Sequence, residues 1–342
     1  MTGASQAGRP RPPFRVPAPD PAALVRWPAP FGTRFTVFCD VEEEFDWRAP
    51  LDRAQRSTRA MAAFPDAHAR FADLGIGLAC MVDHPIATDP AAVELLARVI
   101  EDGRSSIGTQ LHPWVNPPHE EAVTPANSYA GNLPRALEAA KLDALTAAIT
   151  AAFGRAPRSY RAGRYGIGPD TMALLAERGY RIDSSVRAAY DYSADGGPDF
   201  SRVGSAAYRV GGLIELPLST VFTGVLRRRG VGLCRTLARI PHARGAFARS
   251  GLLNRVALTP EDMPVDEALA AIDVAVGEGT RLLTISFHSP SLAPGNTPYV
   301  RDAADLARFH GWWSAVAGRL ASLGVSYASL DEIIAAADQP PG

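Results

Sequence analysis

The sequence predicts an α/β fold in which mostly parallel strands alternate with crossover helices, as a barrel or an open sheet. Three observations carry this. Strand-like and helix-like stretches alternate from Phe35 almost to the end of the 342-residue chain, with no fixed-period repeat. The first of them, Phe35 to Cys39, is a mostly apolar run of the kind covered on both faces. Reactive residues also follow nearly every strand: Asp40 and Glu42, Asp83 and His84, His112, Arg161, Asp183, His288. In a barrel those positions share the carboxyl-end face, where active sites are built.

In chain order, residues 1–30 are rich in Pro, Ala and Arg and read as a disordered or surface-wrapping arm. The first strand then runs into Asp40, Val41 and three glutamates. Because side chains alternate along a strand, Asp40 and Glu42 point the same way. Two carboxylates at the end of a buried strand are costly unless something positive sits between them. A helix follows at 54–74, a strand at 77–82, a helix at 90–101 and a strand at 106–111. A long loop, 113–129, precedes an Ala/Leu-rich helix at 133–153. Next come a strand at 158–162, a helix at 169–178, and strands at 180–184 and 213–218. Residues 221–260 break the rhythm with many arginines and apolar residues at helical intervals. They read as an insertion with solvated helix faces, or as a cap or membrane-surface segment attracting an anionic substrate or lipid headgroups. The last elements are a helix at 264–278, a strand at 282–287, a helix at 302–323, a strand at 325–329 and a terminal helix.

The composition, 46% hydrophobic and 21% charged with a net charge of −1, is that of an ordinary globular protein. Near-neutrality argues against general nucleic-acid binding, and no apolar run is long enough to span a bilayer. The N-terminus lacks the apolar middle of a signal peptide, so the expected location is cytoplasmic. Three cysteines, two of them inside strand-like runs, suit buried free thiols in a reducing compartment. Lys141 is the sole lysine among 35 basic residues, which reads as compositional bias.

Several residues could carry chemistry. His112 lies just after a strand, and one imidazole with one or two carboxylates is a start on a divalent-metal site. Catalytic zinc generally takes three protein ligands; here the third is open among Gln110, Asn116, His119 and His84. Arg161 would keep a neighbouring Asp40 ionised and aimed, or is a surface arginine. Asp183 is a site residue or a helix N-cap. His288, at a strand end before a turn-rich loop, suits a general acid or base, or is a hydrogen-bonded core histidine. Glu43, Glu44, Trp47, Trp114 and Tyr299 read as loop and packing residues, with the aromatics able to stack on sugar rings.

Taken in order, FTVFCDVEEEF, IGTQLHPW, SYRAGRYG, IDSS and SFHSPSL resemble the motifs of the polysaccharide deacetylase family (carbohydrate esterase family four, NodB-type) over about residues 34–335. The resemblance implies a distorted (β/α) barrel of seven or eight mostly parallel strands, forming one domain over residues 31–338. It implies metal-assisted hydrolysis of an N-acyl amide, usually N-acetyl, on an amino sugar, glycan or glycan precursor. Asp40 would be the general base, and Glu42 and His112 ligands of a divalent metal, most simply zinc. Arg161 would orient Asp40, and a backbone N–H near Arg164 or Tyr165 would hold the oxyanion. His288 would protonate the departing amine, with Asp183 fixing its ring. The departure is in the second motif, which normally carries two histidines four residues apart. If His112 is the first, Asn116 takes the second place; if Gln110 takes the first, Trp114 does. The rivals are a glycan-binding or regulatory barrel and a metal-free amidase. A glycosidase using Asp40 and Glu42 is disfavoured, because same-strand carboxylates lie too close to flank a bond.

Overall fold

A computed structural model describes residues 12–339; residues 1–11 of the arm lie outside the described residues. The strands are β1 (Arg34–Val41), β2 (Ala79–Val82), β3 (Ser106–Leu111), β4 (Ser159–Ala162), β5 (Ile182–Asp183), β6 (Tyr208–Val210), β7 (Leu213–Glu215), β8 (Thr220–Thr223), β9 (Asn254–Ala257), β10 (Leu282–His288) and β11 (Ser326–Tyr327). Nine of them form one sheet in the order β10-β1-β2-β3-β4-β5-β7-β6, with β11 on β1. Every pairing from β10 to β7 is parallel, and only β6 is antiparallel to its neighbour. The expected distorted barrel is present as a curled parallel sheet, with all but the last helix kept out of its interior. All eight expected strands are found; β6, β8 and β9 are extra, each of three or four residues.

Strand β1 shows how the sequence builds both faces. Val37, Cys39 and Val41 belong to the large cluster packed against the helices, whereas Phe38 belongs to the second cluster, inside the sheet. Asp40 continues the inner series. The helix Leu330–Asp338, started by a Ser329/Glu332 capping box, plugs that interior: Leu330 and Ile333 pack with Phe38, Ala79 and Met81. On the outer face, Phe71 stacks on Phe287 at 5.3 Å and both meet Trp313 edge-on, joining β10 to the helices Phe64–Asp73 and Ala303–Ser322. The first expected helix starts late. Its leading residues extend along Glu44, whose carboxylate takes Ser57 Oγ at 2.6 Å and the Ala60 N–H. The described part of the N-terminal arm lies along the surface, where Val16 N donates to Asp199 O and Val25 N to Ala207 O.

The arginine-rich stretch is a hairpin, β8 antiparallel to β9, carrying the helices Gly230–Leu237 and Ala243–Arg249 around a small cluster of Cys234, Leu237 and Leu253. It is no cap over the mouth. Ser219 N donates to Thr284 O, midway along β10. From there β8 descends, and Arg227 pairs at 2.9 Å with Glu278, a residue that precedes β10. The unit therefore sits at the amino end of the strands, a strand length of about 20 Å from the mouth.

Candidate active site

Parallel pairing of β1 with β10 sets Asp40 directly beside His288, and His288 Nε2 lies 3.7 Å from Asp40 Oδ2. From β4, Arg161 Nη1 donates to both oxygens of Asp40, at 3.0 and 3.3 Å, and Nη2 donates to Ser184 Oγ at 3.1 Å. Its guanidinium also lies over the Phe38 ring, 4.7 Å from the centroid. Both partners are buried, so the pair is held in one geometry without competition from water.

Below Asp40, His112 is gripped on one edge. Its Nδ1 lies 2.9 Å from Glu43 Oε2, and the other oxygen of Glu43 accepts from Trp114 Nε1 at 2.9 Å. Trp114 stacks on the imidazole at 4.3 Å and is 2% exposed, so it backs the histidine and offers little face to a sugar. Glu43 N donates to Asp83 Oδ2 at 2.8 Å. Burial lifts the Glu43 carboxyl to about 8 and Asp83 well above its usual range. Gly163 completes the clamp: a Cβ there would fall 2.2 Å from His112 Cδ2, so only glycine lets the ring lie where it does.

The other edge of His112 faces a cavity. Gln110 Nε2 lies 3.2 Å from His112 Nε2 and donates to Glu42 Oε2 at 2.9 Å. Glu42 Oε1 and Gln110 Oε1 are buried with no hydrogen-bond partner. Burial lifts the Glu42 carboxyl to about 7, against the opposing pull of His288 and His112. Two donor sets thus share His112. Glu43, Asp83 and His112 place ligand atoms within 4.8 Å of one another and could hold a metal ion. Glu42, His112 and Gln110 line the cavity, and their orphaned oxygens need a positive partner. A carboxylate, an imidazole and an amide oxygen suit a divalent cation. A carboxylate on the far ring nitrogen is the usual support for a metal-binding histidine.

Of the other candidates for a third ligand, Asn116 donates its amide nitrogen to the carbonyls of Pro117 and Lys141; its Oδ1 is buried without a hydrogen-bond partner, but the residue does not line the cavity. His84 lies 3.4 Å from Arg56, and His119 lies near Lys141 and Arg53; the pKa of each is pushed down by burial and by those positive neighbours. Only Gln110 reaches the site. Asp183 is also misplaced in the sequence reading. It pairs across the sheet with Glu215, accepts from Ser185 Oγ at 2.5 Å and caps no helix. The acceptor on His288 is Glu261, which takes Nδ1 at 2.7 Å, the His288 N–H at 3.0 Å and Ser291 Oγ at 2.5 Å. Burial alone would depress the His288 pKa, but Glu261, Glu42 and Asp40 outweigh it and raise it to about 10.

Arg164 and Tyr165 line the same cavity with φ of 55° and 61°. Two successive non-glycine residues in the left-handed region concentrate backbone strain of order 1–3 kcal/mol each at the mouth. The cavity measures about 530 Å³ and is ringed by Trp47, Tyr129, Tyr165, Tyr192 and Tyr299, a size that encloses a small molecule. Lys141, buried within the helix Arg135–Phe153, ties down the loop on its rim. Its Nζ donates to the carbonyls of Pro113, Asn116 and Pro118 at 2.7–2.9 Å and pairs with Glu121 at 3.1 Å.

Comparison with known proteins gives a fold likeness. No family model and no curated sequence matches the chain. Among solved structures, a candidate polysaccharide deacetylase from Mycobacterium smegmatis is similar with a TM-score of 0.53 at 17% identity, covering 94% of this chain and 96% of that one. A GH57-type branching enzyme from Pyrococcus horikoshii is similar with a TM-score of 0.50 at 12% identity, covering 91% of this chain and 71% of that one.

Proposed function

We propose that residues 31–338 form one hydrolytic domain. It cleaves an N-acyl amide, most simply an N-acetyl group, on an amino sugar or soluble glycan precursor. The observation that carries this is the position of Asp40: fixed by Arg161 on one side, 3.7 Å from His288 on the other, and sharing a cavity with Glu42 and His112. The likeness in fold to a candidate polysaccharide deacetylase supports the reading. Glu42 and His112, with Gln110, would hold a divalent cation such as zinc, which supplies carbonyl polarisation and a more acidic water.

The chain's own residues do the rest. Asp40, held in place by Arg161, takes the proton of the attacking water. A backbone N–H at Arg164 or Tyr165 donates to the oxygen that gains charge. His288, protonated at neutral pH, gives its Nε2 proton to the departing nitrogen, and Glu261 steadies the charged ring through Nδ1. The C–N bond breaks, leaving a carboxylate and a free amine. The aromatic ring of the cavity suits the faces of a sugar.

A second reading, a metal-free amidase, is favoured by one observation: Asn116 does not line the cavity, so the strong ligands there number two. The test is acetate release from N-acetylated amino sugars and short chitooligosaccharides. Wild-type protein loaded with zinc should release acetate, and Asp40→Asn should lower kcat by about 10²–10⁴-fold. Loss of activity in chelator supports the first reading, and full activity in chelator supports the second. No release from any amide overturns both.

A further inference from the structure

Residues 216–260 contain eight arginines and not one aspartate, glutamate or lysine, in a chain whose net charge is −1. Two of the eight are engaged. Arg227 pairs with Glu278, and Arg255 lies over Tyr190 at 3.6 Å while donating to Ala189 O. Arg228, Arg229, Arg235, Arg239, Arg244 and Arg249 are exposed and have no ion pair among the described residues. Apolar side chains stand among them. Val225 is 79% exposed, Ile240 54% and Val231 45%; with Leu252 they are four of the seven large exposed apolar residues of the described chain. Arginines and exposed aliphatics on one small projecting unit are more than a solvated face requires, because the aliphatics gain nothing from water.

We propose that this unit, residues 224–253, docks on an anionic lipid bilayer. The arginines would meet lipid phosphates, and Val225, Val231 and Ile240 would enter the headgroup boundary. A nucleic-acid backbone has the same charge, but it offers the aliphatics nothing, and no exposed aromatic ring is present here to stack on bases. Docking at the amino end of the strands would leave the mouth, a strand length away, turned to the aqueous side. The inference does not rest on the proposed hydrolysis, and either can fail alone.

The test is sedimentation of the full chain with vesicles of phosphatidylcholine alone, or of phosphatidylcholine mixed with phosphatidylglycerol. Binding should be confined to the mixed vesicles and fall as salt is raised. Arg228→Glu with Arg229→Glu should weaken it by about tenfold or more. Val225→Ser with Ile240→Ser should weaken it while leaving the salt dependence in place. All four side chains are exposed, and an unchanged thermal midpoint would show that the variants fold. Failure to bind mixed vesicles, or equal binding to both kinds, overturns the proposal. So does salt-sensitive binding to duplex DNA that the Val225/Ile240 variant leaves untouched, with no vesicle binding.

Discussion

At the mouth of the sheet Asp40 and Arg161 are buried, and each is the other's partner across the sheet. At the opposite end six arginines stand in solvent with no ion pair among the described residues. Charge at the mouth is held in place, and removing one member leaves the other stranded in a low dielectric. Charge on those six arginines is solvated, so any one of them can be removed at little cost to the fold. A fixed, desolvated charge suits chemistry on a small molecule, while an unpaired, solvated one suits a large acidic surface.

That contrast is most sharply tested at Arg161. Arg161→Ala should destabilise the protein by about 3 kcal/mol in urea unfolding, because Asp40 would stay buried with only the His288 ring, 3.7 Å away, beside it. A loss below about 1 kcal/mol would show that the mouth is as tolerant as the far end. Lys141→Met should cost about 2–4 kcal/mol, since three carbonyls and Glu121 lose their donor. Lys141→Arg should recover only part of this, because a planar guanidinium does not reach three carbonyls as an ammonium does.

The pH dependence comes next in size. Burial lifts Glu43 to about 8, so the native chain keeps a proton that the unfolded chain releases near about 4.3. The resulting stability is full below that lower value and is lost as pH rises through about 8. In chelator, urea midpoints should therefore fall from pH 5 to pH 8. Glu43→Gln should flatten the slope by about 1 kcal/mol per pH unit. An unchanged slope would mean that Glu43 is ionised in the native protein. Smallest of all, Arg228→Ala with Arg229→Ala should shift stability by less than about 0.5 kcal/mol, and a larger shift would give the far end a structural role.

The sequence showed the mouth better than it showed what supports the mouth. Asp40, His112, Arg161 and His288 were legible because each lies at or near the carboxyl end of a strand-like stretch, and parallel strands bring such ends together. Glu261 was not, because it follows a four-residue strand and precedes a helix, where an acid reads as a helix-start residue. Glu43 lies beyond the end of β1, where alternation no longer governs direction, and turns down to His112. Lys141 sits in an Ala-rich helix whose exposed face it resembled. Its being the only lysine was the available signal, and its ammonium, shared by three carbonyls, suits that position better than a planar guanidinium. Asp183 was misassigned because strand-end position does not say which neighbour a side chain meets; its register partner is Glu215.

Which edge of His112 holds the metal is decided by equilibrium dialysis against zinc. We expect about one equivalent bound, lost in Glu42→Gln and His112→Ala, and weakened about 10–100-fold in Glu43→Gln, where only the support of the ring is removed. Zinc that stays bound in Glu42→Gln and is lost in Asp83→Asn would place the ion on the enclosed edge, away from the cavity, and would contradict the account.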